Sequence, residues 1–322
     1  MGYAIGTITK GAGDDCHYQI LGIIKTLAEA NGWVTLRYVN TGSNWELILK
    51  GEGLSGLDEI FVGFKAYQSV GLDYYNLNCG TFVGYVPGNT FELQPGAQFT
   101  AIPAHNNAIT YFITANAQRI VGCFKVGTPV YEHFYVGKFL PYFRPGEYPA
   151  PLVSASMLSN EAATRFSDTN QLMPYMGYHE NLTYNQLYIR DQAGNWIRPW
   201  VYPFTMSNQY VPNLLAAPQS SYGTMVPAGS DYQIEPLIIC QANSGVTPSN
   251  IFGEFDGVYF CSGFNNGVEN VIQQGGSSVV NQSGMTVLQA VDAIKAVSGR
   301  AFIMMQNVYR TTWRDYVALE MK

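Results

Sequence analysis

Charge is scarce in this chain. Of its 322 residues 12% are charged, about half the ~25% of an ordinary soluble domain. The balance is acidic, with 17 Lys and Arg against 23 Asp and Glu for a net charge of -6. A basic footprint is missing, which argues against a partner held by phosphate contacts, and no nucleic acid is expected. Long apolar runs are missing too. "PLIIC" and "FIMM" are among the longest and fall far short of the ~20 residues a membrane helix needs, so no membrane insertion is expected. The opening "MGYAIGTITKGAGDD" lacks the positive start and apolar centre of a secretory signal, which points to synthesis in a cytoplasm. Cys16, Cys79, Cys123, Cys240 and Cys261 show no CxxC spacing, so five free thiols are expected, with neither a disulfide framework nor a zinc site. Nor does any stretch repeat at the 20–50-residue period of solenoids and propellers.

Catalytic patterns are equally thin. A hydrolase needs a nucleophile beside a positioned base. The four histidines are His17, His105, His133 and His179, with no HExxH pair and no GxSxG elbow among them. His17 falls in a helical pattern and His133 in a strand pattern, where structural roles are expected. "GTITKGAGDD" has glycines and a lysine but not the GxxxxGK[ST] order of a phosphate loop. The one suggestive pair is Glu254 and Asp256 in "GEFDG". Carboxylates two apart on a strand share a face at about the spacing glycoside cleavage uses. That spacing is automatic for any such pair, so a solvated edge or turn between Gly253 and Gly257 is the expected reading. No cofactor, metal or enzymatic activity is expected.

What the chain has in quantity is apolar and aromatic surface: 47% hydrophobic residues, 23 of the residues being Tyr. The segment "DDCHYQILGIIKTLAEANG" places Ile20, Ile24 and Leu27 on one stripe, with acids before it and Gly32 after it, and predicts a helix over about 14–31. The period then drops to two. "WVTLRYV" and "NWELILK" around "NTGS" predict a hairpin, and further strands are expected at 59–69, 80–86, 108–115, 119–127, 130–140 and 253–264. "TVLQAVDAIKAVSG" predicts a second helix over 286–298, and "AFIMMQNV" with "DYVALEM" a terminal hairpin. Residues 144–248 read as mostly irregular ordered loop, too aromatic for disorder. The expected fold is mainly β, with antiparallel sheets or a sandwich, two helices and long ordered loops. It divides into an α+β unit over 1–145 and a loop-rich β unit over 146–322.

The stretch "HFYVGKFLPYFRPGEYPAP" (133–151) concentrates rings on a backbone that its prolines bar from helix and from a central strand. Its rings either cap the core or dock a neighbour. Tyr, Trp and Arg are the residues that anchor interfaces. Tyr142, Phe143, Arg144, Tyr148, Trp196, Trp200 and Tyr202 are therefore the candidate assembly residues.

Five stretches carry a resemblance. "HFYVGKFLPYFRPGEYPAPLV", "FDGVYFCSGFNNGVENVI" and "AFIMMQNVYRTTWRDYVALEMK" resemble the central and C-terminal signatures of a family of tailed-bacteriophage virion structural proteins. "WELILKGEGLSGLDEIFVGFKAYQS" and "DYYNLN" are similar to its opening. The stretch between the two C-terminal motifs, "QGGSSVVNQSGMTVLQAVDAIKAVSGR", is longer than the family pattern. The resemblance implies a non-enzymatic component of the tail or baseplate. It implies a symmetric homo-oligomer among other virion proteins, made in the host cytoplasm and located in the virion. A head decoration or neck component is the alternative within that class, and a phage receptor-binding or glycan-hydrolysing protein the alternative outside it.

Overall fold

The computed structural model describes residues 2–142 apart from 12, 128 and 129. It then describes 150–157, 163–168, 171, 174–175, 187–203, 234–242, 248–261, 294–297, 300–306 and 316–321. Helix α1 (Cys16–Glu29) lies where the stripe predicts it and buries Ile20, Ile24 and Leu27. Gly32 closes it with a φ of 91°, which lets the Trp33 N–H reach the Ala28 carbonyl at 3.1 Å, a termination that glycine makes without strain. At the other end Asp15 makes no side-chain cap bond. Its carboxylate pairs with Lys10 at 2.5 Å instead.

After α1 the chain runs as a five-stranded meander: β2 (Val34–Thr41), β3 (Asn44–Gly51), β4 (Ile60–Ser69), β5 (Tyr74–Phe82) and β6 (Gln98–Pro103). The predicted hairpin is β2 and β3, paired antiparallel with one register shift between Thr35 and Arg37. The strand ahead of α1, β1 (Gly2–Thr9), does not join the meander. It pairs with β7 (Ala108–Ala115) in unbroken register from Gly2 opposite Ala115 to Thr9 opposite Ala108. From β7 a central sheet continues through β8 (Arg119–Lys125), β9 (Tyr131–Lys138), β11 (Pro151–Ala155), β12 (Leu187–Arg190) and β13 (Trp196–Ile197). The third sheet has the order β14 (Trp200–Pro203), β15 (Ile234–Ala242), β16 (Pro248–Cys261), β19 (Tyr316–Glu320), β18 (Arg300–Gln306), β17 (Ile294–Val297). The two-residue β10 (Leu140–Pro141) adds to β16.

Antiparallel sheets commonly wet one face; the central sheet here wets neither over most of its length. Side chains of β8 and β9 alternate between two cores. Ile120, Phe124, Phe134 and Val136 face α1 and the meander, whereas Val121, Cys123, Tyr131 and Tyr135 face the third sheet. All eight residues of β9 are buried. The meander keeps a small aromatic core of its own, with Phe61, Phe82 and Phe91 around Ile48.

A mainly β, antiparallel architecture is therefore what forms, with two departures from expectation. The second helix is not what its described residues form: Ile294–Val297 make β17, antiparallel to β18, and the rest of 286–298 lies outside the described residues. The Ile-Lys-Ala-Val segment has a pairing partner in "AFIMMQ", and sheet pairing outranks a modest helical pattern. The stretch 144–248 is also more regular than expected, since its described residues include β11 to β15. The central sheet draws strands from both sides of residue 145. The terminal hairpin forms as β18 and β19.

Candidate assembly surface

The ring-and-proline stretch divides in two. Its first half is core: Phe134, Tyr135 and Phe139 are buried, and the Tyr135 hydroxyl donates to the Lys138 carbonyl at 2.6 Å. Pro151 opens β11, a position where a missing N–H is tolerated. Only beyond Phe139 does the chain turn outward. β10 leans on β16, with Leu140 opposite Glu254 and Pro141 opposite Gly253. The approach is so close that a Cβ on Gly253 would lie 2.0 Å from the Leu140 carbonyl oxygen. Tyr142 follows, 47% exposed, its hydroxyl donating to Glu254 at 3.0 Å. Partial burial, and then the Glu254 charge, push its phenol up to about 12.

Glu254 and Asp256 do lie on the face of β16 opposite buried Phe255, but neither reads as a free acid. Five residue steps on β16 (Glu254 to Tyr259) span two on β15 (Ile238 to Pro236), a wide bulge in which Gly257 takes a φ of 76°. The bulge swings Asp256 against the turn joining β7 to β8. There its Oδ2 accepts from Asn116 Nδ2 at 2.7 Å and Gln118 Nε2 at 2.6 Å. The same oxygen lies 3.7 Å from Nε of Arg119, whose side chain is fully buried. Arg119 also donates to Thr114 Oγ1 at 2.7 Å. A Cβ on Gly257 would sit 2.1 Å from Arg119 Nη2, so the guanidinium occupies the space that glycine leaves. Asp256 is the counter-ion of a buried arginine, and Glu254 the acceptor of Tyr142.

Three of the remaining candidates fall on two sheet margins. Trp196, on the edge strand β13, is partly exposed and donates its indole N–H to the Gly96 carbonyl at 3.0 Å. Trp200, like Ile251, packs against buried Cys240, so it covers a local cluster. Tyr202 lies on β14 with its backbone opposite Ile238. Phe143, Arg144 and Tyr148 lie outside the described residues. The structure thus places Tyr142, Trp196 and Trp200 at the surface without gathering them into one constellation.

Sequence reasoning passed over a different set of exposed groups. The turn between β3 and β4 presents Leu54 at 67% and Leu57 at 88% exposure, yet it is well tied. The Gly53 N–H bonds the Ala117 carbonyl at 3.1 Å, the Leu57 N–H bonds Ser55 Oγ at 3.2 Å, and Asp58 pairs with Lys138 at 2.9 Å. The signal available was "GLSGL", two leucines each following a glycine. Val70 and Leu72 stand out likewise at the β4–β5 turn. Meanwhile the described cations tend to be paired at short range, as in Lys25 with Glu29, Lys50 with Glu59 and Arg300 with Glu320.

The histidine and cysteine expectations can be placed as well. His17 is fully buried on α1 beside the Tyr18 and Tyr75 rings, and burial lowers its pKa to about 4. His133 is buried on β9 with Nε2 3.8 Å from Cys123 Sγ. His105 accepts the Asn107 N–H at 2.9 Å, and His179 lies outside the described residues. Cys16, Cys79, Cys123 and Cys240 are free and buried. Glu132, one residue before His133, is wholly buried with neither carboxylate oxygen hydrogen-bonded. Desolvation raises its pKa well above the usual range, outweighing the nearby Ser156 hydroxyl, which bonds the His133 main chain at 2.7 Å. Among the described residues no helix is long and apolar enough to cross a membrane, and no cluster of His, Cys, Asp and Glu could hold a metal ion. Comparison with models of known protein families finds no match, and comparison with curated proteins finds none either.

Proposed function

We propose that the chain is a non-enzymatic structural subunit of a bacteriophage virion, placed in the tail or baseplate and working as a symmetric oligomer in contact with other virion proteins. The observation that carries this reading is the pairing of scarce charge with apolar side chains held out on tied turns, Leu54 and Leu57 above all. The fully buried cores of protein interfaces are depleted in charge and more apolar than the rest of the surface, and a turn already ordered loses little entropy on docking. The motif resemblance supplies the particle. The engagement of Asp256 with Arg119, Asn116 and Gln118 favours an architectural use of the two carboxylates over glycan cleavage.

The test is to separate heads from tails in purified particles and probe each fraction with an antibody to this chain. The reading expects it with the tails. Recovery with the heads would move it to the decoration or neck alternative, and absence from particles would sink the proposal. So would reducing-sugar release from host envelope by the purified chain that Glu254→Gln abolishes.

A further inference from the structure

Among the described residues six strands end the main orders of the three sheets, the two-residue β10 lying off them, and five of the six are blunted in ways that discourage pairing with another chain. β2 has Arg37 and a register shift beside it. β6 ends in Pro103 and is bridged at Ala101 to Met157 by hydrogen bonds of 3.0 and 2.9 Å. β13 is two residues long, β14 ends in Pro203, and β17 has four residues including Lys295.

The sixth, β1, has none of these devices. Its eight residues, Gly-Tyr-Ala-Ile-Gly-Thr-Ile-Thr, include no charge and no proline, its register is unbroken, and among the described strands it pairs with β7 alone. The direction of its free groups follows from one bond. Lys10 donates its N–H to the Asn107 carbonyl at 2.7 Å, which makes that opposed pair a hydrogen-bonded one. Such pairs alternate along an antiparallel ladder. Ile8, Gly6, Ala4 and Gly2 therefore turn their main-chain groups to β7, and Tyr3, Ile5, Thr7 and Thr9 turn theirs outward. Tyr3 is 48% and Ile5 39% exposed.

We propose that this open edge is a homodimer interface, in which β1 of one copy pairs antiparallel with β1 of a second across a two-fold axis between the two Gly6 residues. The occupant is a second copy because the edge is self-complementary in that register. Tyr3 falls opposite Thr9 and Ile5 opposite Thr7, so all four outward residues on each strand find partners. The ladder has about eight main-chain hydrogen bonds, two for each opposed pair. Aromatic and β-branched residues meeting across strands is a favourable pairing. At the axis two glycines meet where the strands come closest. The uncharged strand also lets two molecules of net charge -6 approach without like charges at the seam. The two central sheets become one sheet running through the dimer, and the interface is isologous, as two-fold symmetry requires. This deepens the reading of the chain as a self-associating subunit and rests on that part of it.

The experiment is sedimentation velocity of the full chain over a wide concentration range, with hydrogen exchange read by mass spectrometry on the peptide containing residues 2–9. The expected result is a monomer–dimer equilibrium with protection of that peptide rising as the dimer fills. Ile5→Lys should weaken the dimer roughly tenfold or more by placing two charges near the axis, with the melting temperature of the monomer unchanged. Ile5→Pro, which removes an outward N–H and no bond to β7, is the second variant. A dimer indifferent to Ile5→Lys would overturn the edge assignment while leaving self-association standing. A monomer at every concentration would overturn both, without touching the placement of the chain in the particle. Protection of the outward amides of Tyr3, Ile5, Thr7 and Thr9 at all concentrations, beyond that of the four amides bonded to β7, would show that the chain's own residues cover the edge and would also overturn it.

Discussion

Replacing Asp256 tests whether the third sheet is locked to the central sheet through one buried charge. Its carboxylate accepts two amide donors at 2.7 and 2.6 Å and faces a guanidinium with no exposed side-chain surface across 3.7 Å. A pair of unit charges at about 4 Å interacts by about 4 kcal/mol at the effective dielectric constant near 20 that suits such sites. Truncating one member of a buried pair costs about 3–5 kcal/mol, because the other charge stays in place. Asp256→Ala should therefore lower unfolding free energy by roughly that amount. Asp256→Asn, which keeps an acceptor for Asn116 and Gln118 but loses the charge, should cost less, on the order of 2 kcal/mol. Gly257→Ala should behave like Asp256→Ala although it removes no contact. It forces a Cβ into a left-handed backbone position and into the Arg119 guanidinium, at about 2–4 kcal/mol. Urea denaturation followed by fluorescence and circular dichroism supplies all three values, provided the two probes coincide. A loss under 1 kcal/mol for Asp256→Ala, with Gly257→Ala neutral, would refute the reasoning.

Other expectations follow from single groups. His17 has its folded pKa lowered by burial to about 4 from 6.5, so the unfolded chain protonates first as pH falls. Its contribution is present above pH 6.5 and is lost between there and about 4, by about 3 kcal/mol in all. A melting series over that window should show the loss in the native chain and a flatter profile in His17→Phe. Glu132 has the opposite sign, because a raised carboxyl pKa makes stability fall as pH rises past the unfolded value. Glu132→Met should gain about 1–3 kcal/mol at pH 8 by removing a buried group without partners, and less at pH 5, as urea midpoints at the two values will show. Tyr142→Ala should shift the isolated subunit by less than about 1 kcal/mol, since surface changes rarely exceed that. An anchor's loss costs ~2 kcal/mol or more, about thirtyfold in affinity, so incorporation into particles is the measurement that separates docking from core capping. The four described thiols should resist alkylation until the chain unfolds and should react equally with and without reductant.

The parts of this fold legible in the sequence are those where one short-range period decides the outcome. Ile20, Ile24 and Leu27 announce α1, and the switch to alternation at Trp33 announces β2 and β3. β7 falls where "AITYFITA" places it. β1 escaped notice because Gly2 and Gly6 interrupt its alternation, and its partner lies about a hundred residues away. β11 to β14 are short, and all but β12 lie beside prolines, so they read as loop although the central and third sheets complete their pairing. For the candidate surface, ring content singled out Tyr142, which is exposed, but ring content in the 133–151 stretch does not by itself separate it from Tyr135 and Phe139, which are core. The Arg119–Asp256 contact was out of reach, because it depends on a bulge whose only trace in sequence is a glycine after the aspartate.

The pairing of β1 with β7 has a consequence in time. The whole five-stranded meander lies between two strands that must find each other, whereas each strand within it pairs with its immediate successor. Loop closure is cheaper for near neighbours, and topologies rich in distant pairings fold slowly. The meander should form first, with the central sheet closing over it afterwards. Refolding should then show an early phase sensitive to substitutions in β3 to β5 and a later one sensitive to β1 and β7. Until the second phase ends, β1 is bare on both sides, so newly made chains at high concentration face their greatest hazard of wrong partnering in that interval.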